Sequence, residues 1–416
     1  MLGFFTNITK SKKQVLLLYS CTIIGVFIGV LVSILNTRNL CPSEYGDVRY
    51  INNIIALISG LFLFGYFVSG CRLLAVSKTK EEAREIKGIM LVILFGTVLL
   101  MMLVMAALGV FYNVVLEKPY ANLFFVAIPF CGSTILLNYI NTSSQGDNSI
   151  GMIAKARLLP GVAYLIFGFL VYYYWGASST KMILLQNGVY FVVLLILIIL
   201  NKPSFKNLRA NWRKLNEENR GYGLQVYYGA LCNVSVQYIA GITLGLVALD
   251  NTDVGFYTLA LTVTTPLAML PNVIGTTKFK EFAHQNKISG KLIKYTVLLT
   301  LITYLGFIVL IYPVVDFLYD ESYGIVALYA CFLALGNSFQ GLGDVFNRFL
   351  GAHSQGKQLR NGAWAAGLVL VIGFTVGIYY WGIWAAIITK ILGSLTYFLM
   401  MLYFYWGYVK LNKSMN

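Results

Sequence analysis

Leu40-Cys41-Pro42-Ser43-Glu44-Tyr45-Gly46 lines up with Leu249-Asp250-Asn251-Thr252-Asp253-Val254-Gly255, an offset of 209 residues in a chain of 416. Both stretches stand where a long apolar run meets polar residues. A second short match, Ser144-Gln145-Gly146 with Ser354-Gln355-Gly356, has an offset of 210. Two matches at nearly one offset, half a chain apart, read as a duplicated membrane half, an architecture common among transporters.

Composition agrees. The chain is 58% hydrophobic and 11% charged, against roughly 25% charged residues in soluble domains. Such a chain uses lipid as solvent. Its 31 Lys+Arg outnumber its 16 Asp+Glu, but the basic residues sit in short segments between apolar runs, so nucleic acid is not an expected partner. The first apolar run, about Val15 to Leu35, is long enough to span and lacks a small-residue cleavage site, so it is expected to stay as a helix.

Apolar runs bounded by charges and turn residues number twelve, at about 14–36, 50–74, 86–113, 120–141, 152–175, 181–201, 222–247, 254–276, 291–314, 323–348, 360–380 and 381–407. The sequence thus predicts an all-α membrane protein of about twelve transmembrane helices. Alternate connections, together with the ends of the chain, hold 26 of the 31 basic residues; the others hold only Arg38, Arg49, Lys118 and Lys181, and Lys390 lies inside the twelfth run. By the positive-inside rule both termini are expected in the cytoplasm. The most polar connection carries Lys202, Lys206, Arg209, Arg213, Lys214 and Arg220. It divides the chain into an N-terminal six-helix half (1–201), a basic linker (202–221) and a C-terminal six-helix half (222–416). An even number of helices per half makes the repeat parallel, its axis along the membrane normal. The linker is expected to anchor topology and touch anionic lipid.

Chemistry for catalysis is not legible, and no enzyme activity, metal or cofactor is expected. His284 and His353 lie far apart in separate basic loops, and five of six cysteines fall in or at the ends of apolar runs, as packing residues do. Gly351-Ala352-His353-Ser354-Gln355-Gly356-Lys357 has the spacing of a phosphate-binding loop. Gln358, however, stands where the magnesium-binding hydroxyl belongs, and an apolar helix rather than a strand precedes the segment. Energy is therefore expected from gradients or a partner.

Polar residues inside the runs carry the functional signal, because they are costly in lipid and tend to face a cavity or pair up. In the tenth run Asn337, Gln340, Asp344 and Arg348 share one helical face. Asp344 and Arg348 are either a self-neutralised pair or the wall of a cavity with a titratable acid, the one candidate for ion coupling. Lys390 lies nine residues past Trp381, about 14 Å deep, either free for an anionic ligand or paired with Asp344. The eighth run presents Thr258, Thr262, Thr265 and Asn272 and is interrupted by Pro266 and Pro271; the seventh adds Gln225, Tyr228, Asn233 and Gln237. Such hydroxyls and amides suit a sugar and serve equally as interhelical glue. Arg38 and Arg49 flank the first repeated turn on the side where positive charge is otherwise excluded, which suits contact with a phosphate group.

Thr37-Arg38-Asn39-Leu40-Cys41-Pro42-Ser43-Glu44-Tyr45-Gly46 resembles the R-x-L-G-P-x-x-Y-G signature of bacterial polysaccharide flippases of the Wzx type, with Cys41 in place of the usual Gly. Val254-Gly255-Phe256-Tyr257-Thr258-Leu259-Ala260 resembles the V-G-x-Y-x-x-A opening of their eighth helix. The likeness covers the whole chain and extends to the larger group with multidrug-extruding MATE transporters and lipid II flippases. It implies a MATE-like fold in the bacterial inner membrane. It also implies a cationic lumen, which Arg38, Arg49 and Lys390 match, and translocation of undecaprenyl-diphosphate-linked oligosaccharide by alternating access, for O-antigen, capsule or exopolysaccharide synthesis. Membrane lipids, H+ or Na+ as counter-ion, and polysaccharide polymerase and chain-length proteins are the partners such a reading brings. A cation-coupled multidrug exporter is the alternative; its lumen should carry acids, and this chain offers one, beside Arg348.

Overall fold

A computed structural model describes residues 10–415, and among the described residues there is no strand. The helices are α1 (Lys10–Thr37), α2 (Pro42–Leu61), α3 (Tyr66–Val76), α4 (Lys80–Val114), α5 (Asn122–Ala127), α6 (Ser133–Gly146), α7 (Ile150–Trp175), α8 (Ser179–Leu200), α9 (Leu208–Glu218), α10 (Leu224–Val247), α11 (Thr252–Thr277), α12 (Phe279–Phe282), α13 (Gly290–Leu318), α14 (Ile325–Ala352), α15 (Gly356–Ile372) and α16 (Ile378–Met415). Each of the twelve apolar runs falls on a helix or a broken pair of helices.

Nine helical stretches among the described residues are long and apolar enough to cross a membrane, and the bent pair α2 and α3 makes ten. The longest, Gly356–Leu411, is 56 residues. At 1.5 Å per residue it would run about 84 Å, far beyond a hydrocarbon core of about 30 Å. Gly382 resolves this. Its φ of 55° and ψ of −137° break α16 near its start, a conformation open essentially to glycine. The chain then folds back: a Cβ on Gly393 would meet the Leu370 side chain at 2.4 Å, and one on Gly373 would meet Thr389 at 2.2 Å.

The chain packs as two compact units. Unit 1 takes α1 and Ile51–Tyr238; unit 2 takes Cys41–Tyr50 together with the chain from Ile239 onward. The inclusion of the first repeated turn in unit 2 has a visible cause. A Cβ on Gly46 would lie 1.8 Å from the Asn251 carbonyl oxygen, and one on Gly255 would lie 2.8 Å from the Pro42 carbonyl oxygen. Pro42 and Asn251, like Gly46 and Gly255, are counterparts at the 209-residue offset. The contact is thus reciprocal, each glycine seating the counterpart's backbone, as a two-fold relation requires. Asn251 Nδ2 also donates to Asp47 Oδ1 at 2.7 Å.

The second tripeptide match is not a structural equivalence. Gly146 closes α6 against the Cys71 carbonyl (2.4 Å for a Cβ), whereas Gly356 opens α15 with nothing within 4 Å. The left-handed residues that set these turns are Asn148 (φ 53°) and Ser354 (φ 57°), each two residues before the next helix. They correspond at an offset of 206, so Ser144-Gln145-Gly146 and Ser354-Gln355-Gly356 share letters but not place.

In unit 1 the run at 50–74 is not one straight helix. Phe64 (φ 45°) and Gly65 (φ 78°) bend it by 58°. Backbone groups freed at a break inside a span need partners. Asn219, fully buried, supplies one: its Nδ2 donates to the Phe64 carbonyl at 3.0 Å, while its Oδ1 accepts from the Ser69 hydroxyl at 3.1 Å. The basic linker therefore has structure. Its α9 is held against α3 and α4 by Arg72–Glu218 (2.7 Å) and Lys214–Glu82 (3.5 Å).

Candidate functional site

The polar residues of unit 2 converge on Asp344. Its two carboxylate oxygens accept from Asn272 Nδ2 of α11 (2.8 Å) and from the Tyr397 hydroxyl of α16 (3.0 Å). Arg348 and Lys390 both act on its charge. Among the described residues four ion pairs close within 4 Å, at Arg72–Glu218, Lys87–Asp147, Lys214–Glu82 and Lys278–Glu281. Neither cation makes such a pair with Asp344. The acid is held by neutral donors, with two half-buried cations in its field.

Glycines let these helices approach. A Cβ on Gly341 would meet the Ala268 carbonyl of α11 at 2.9 Å, and one on Gly343 would meet the Tyr397 ring at 2.7 Å. Gly336 faces the Lys390 carbonyl at 3.5 Å. Lys390 stands eight residues past the Gly382 break, about 12 Å along α16. Higher on α14, Asn337 is buried and donates to Thr264 Oγ1 at 2.9 Å; Gln340 is half-buried. The threonines of α11 turn inward on their own helix. Thr262 and Thr265 donate to the carbonyls four residues earlier, each at 2.8 Å, which satisfies a hydroxyl without a partner helix. Asn233 and Gln237 lie on α10, but their side chains fall outside the described residues.

Arg49 is half-buried, with its guanidinium 4.7 Å above the Tyr45 ring. Its Nε is buried and has no hydrogen-bond acceptor. Tyr323 stands edge-on to Tyr45 at 6.0 Å. Arg38 is exposed just past the end of α1. Two residues earlier, Asn36 Oδ1 accepts from Tyr164 at 2.6 Å and Tyr172 at 3.2 Å. The segment with phosphate-loop spacing is a helix–helix turn. His353 lies within it, 4.4 Å from the Phe349 ring and 4.7 Å from Tyr408.

Two polar groups in unit 1 escape the sequence reading. Lys87 counts by sequence as one more cytoplasmic cation, yet its side chain is 4% exposed. Its Nζ donates to Asp147 Oδ2 at 2.6 Å and Asn201 Oδ1 at 3.2 Å, tying α4 to the turn before α7 and the end of α8. The other group is an amide series of Asn52, Gln186 and Asn187, joined by hydrogen bonds of 3.2 and 3.4 Å. Asn187 lies five residues after the buried Met182 on a strongly apolar helix. That isolated polarity was the available signal.

A multi-pass helical membrane protein with charged and amide clusters inside its spans is the class these observations define. The family model described as "Polysaccharide biosynthesis protein" matches residues 11–279, and the chain belongs to that family. No curated protein matches the sequence. Among solved structures, the chain resembles lipid II flippase MurJ in an inward closed conformation, with TM-score 0.69 and 14% identity over 93% of this chain and 87% of that one. It resembles an inward-facing MATE-family multidrug transporter of the MOP superfamily equally, with TM-score 0.69 and 14% identity over 94% and 96%. An outward-facing MATE-family structure gives TM-score 0.57 and 13% identity over 97% and 96%. At these identities the likeness defines the fold alone, one shared with those structures.

Proposed function

We propose that this protein is a flippase that carries undecaprenyl-diphosphate-linked oligosaccharide repeat units from the cytoplasmic to the outer leaflet of the bacterial inner membrane, by alternating access and without catalysis. The observation that carries the reading is the balance of charge where α11, α14 and α16 meet: Lys390 and Arg348 both act on Asp344, whose oxygens already accept from Asn272 and Tyr397. A net cationic cluster suits a diphosphate; a pump for cationic drugs needs the opposite sign. Membership of the polysaccharide biosynthesis family supports it.

Lys390, with Arg348, would hold the diphosphate, while Arg38 and Arg49 meet phosphate at the outer side. Asn337, Gln340, Thr262, Asn233 and Gln237 would contact the glycan. Carrying the headgroup past such side chains avoids stripping water from many hydroxyls at several kcal/mol each. Asp344 is the residue assigned to H+ or Na+ coupling. A diphosphate moving outward gains about 2.3 kcal/mol per charge per 100 mV, so a membrane potential alone drives the step unless cations move with it. O-antigen, capsule and exopolysaccharide repeat units are all cargo of this chemistry, and a polymerase and chain-length proteins would act downstream.

The test is mass spectrometry of prenyl-linked glycans in cells depleted of the protein, with leaflet exposure probed from outside. Accumulation of undecaprenyl-diphosphate oligosaccharide on the cytoplasmic side is expected. Unchanged lipid-linked glycans together with new sensitivity to cationic drugs would replace this reading with multidrug export.

A further inference from the structure

We infer that the neutral amides inside unit 1 form a sugar-contacting subsite, an assignment that rests on the flippase reading and adds a glycan contact to it. Four side chains from three helices make one directed series of hydrogen bonds. Ser133 Oγ of α6 donates to Asn187 Oδ1 at 3.5 Å, Asn187 Nδ2 of α8 donates to Asn52 Oδ1 at 3.2 Å, and Asn52 Nδ2 of α2 donates to Gln186 Oε1 at 3.4 Å. Each Asn takes a proton on its oxygen and gives one from its nitrogen. The series therefore ends on Gln186 Nε2, a group with two N–H donors.

Burial follows the same direction. Ser133 and Asn187 are buried, whereas Asn52 and Gln186 are half-buried. Asn52 is ten residues into α2 and Gln186 seven into α8, about 15 and 10 Å from the helix starts. At such depth an amide facing hydrocarbon has no partner, so a half-buried terminal donor belongs on a wet or ligand-bearing surface.

The chemistry selects the ligand. The series holds no charge, and each amide offers a donor beside an acceptor, the pattern of a sugar hydroxyl. A diphosphate only accepts, and the cations near Asp344 in unit 2 answer it. The two outer links, at 3.4 and 3.5 Å, are slack beside the usual 2.9–3.0 Å, so a hydroxyl can take the place of either at little cost. A series that merely joined helices would treat every cargo alike, and that difference is measurable.

The test uses the full chain in cells making the native glycan and compares two cargos. One is the complete lipid-linked repeat unit; the other is the prenyl diphosphate bearing a single sugar, obtained by deleting the second glycosyltransferase. Gln186→Met keeps the approximate shape and removes both the terminal donor and the oxygen that accepts from Asn52. At matched protein abundance it is expected to slow appearance of the complete unit outside by about 5- to 10-fold, with the single-sugar lipid unchanged within about 2-fold. Equal slowing of both cargos, or slowing of neither, overturns the subsite. If Gln186→Met lowers the amount of folded protein, Asn52→Ser, which cuts the series one step earlier, is read by the same two cargos. If the native chain exports neither cargo, the flippase reading itself falls and the subsite with it.

Discussion

Lys390 and Lys87 show how differently one residue type is used in this chain. Lys390 is half-buried near Asp344 and, among the described residues, closes no ion pair within 4 Å, which is why it is assigned the anionic cargo. Replacing it by Ala should lower outward appearance of the lipid-linked glycan by about 10- to 100-fold, the range for losing a charged hydrogen bond. That loss, at unchanged protein abundance, is read by labelling intact cells; export unaffected by Lys390→Ala would remove the role assigned to it. Lys87 is spent on Asp147 and Asn201. Lys87→Met leaves Asp147 without its cation, though Asp147, 34% exposed, recovers part of the loss from solvent. A destabilisation of about 1–2 kcal/mol is expected, visible as a lower Tm of detergent-purified protein, with the transport rate per folded molecule little changed.

At the scale of elements, close helix approach rests on glycine. The reciprocal contact of Gly46 with Asn251 and Gly255 with Pro42 leaves no room for a methyl, because the obstructing atoms are backbone carbonyls that cannot swing aside. Gly46→Ala should therefore displace the start of α2 from α11 and lower export more than about 10-fold. Gly96→Ala, on α4 with nothing within 4 Å of the new Cβ, should leave export unchanged. Equal behaviour of the two variants in the same assay would dissociate the contact from function. The same logic explains why α14 meets both α11 and α16: Gly336, Gly341 and Gly343 let the polar side chains of three helices reach Asp344.

At the scale of the molecule, charge asymmetry governs orientation and energetics. Reporter fusions after Asn416 and in the 202–221 linker should be active in the cytoplasm, and one in the connection near Lys118 active outside, as the distribution of basic residues requires. For transport, collapsing the membrane potential in proteoliposomes should slow outward movement, since each net charge carried is worth about 2.3 kcal/mol per 100 mV. If ion coupling contributes through Asp344, Asp344→Asn abolishes the remaining dependence on a proton or sodium gradient while the dependence on potential persists. A rate indifferent to both gradients in the native chain would leave Asp344 a structural acceptor for Asn272 and Tyr397.

The helical class, the twelve apolar runs and the 209-residue repeat were legible in the residues, because hydropathy and turn chemistry are local properties that lipid reads along the chain. Only the tertiary structure decided which polar residues meet. The stripe on α14 was visible as a period, yet nothing in spacing says that Asp344 takes Asn272 and Tyr397 rather than Arg348; that depends on helix rotation and on glycines that bring α11 and α16 within reach. The pairing of Lys87 with Asp147 and the series from Ser133 to Gln186 escaped for the same reason, since each joins helices far apart in sequence. The shared letters of Ser144-Gln145-Gly146 and Ser354-Gln355-Gly356 misled because a turn is set by its left-handed residue, not by its composition. Sequence by itself determined the solvent and the all-helical class, while its count of twelve spans exceeds the nine or ten that the described residues show; contact between helices, a matter of rotation and register, determined the sites.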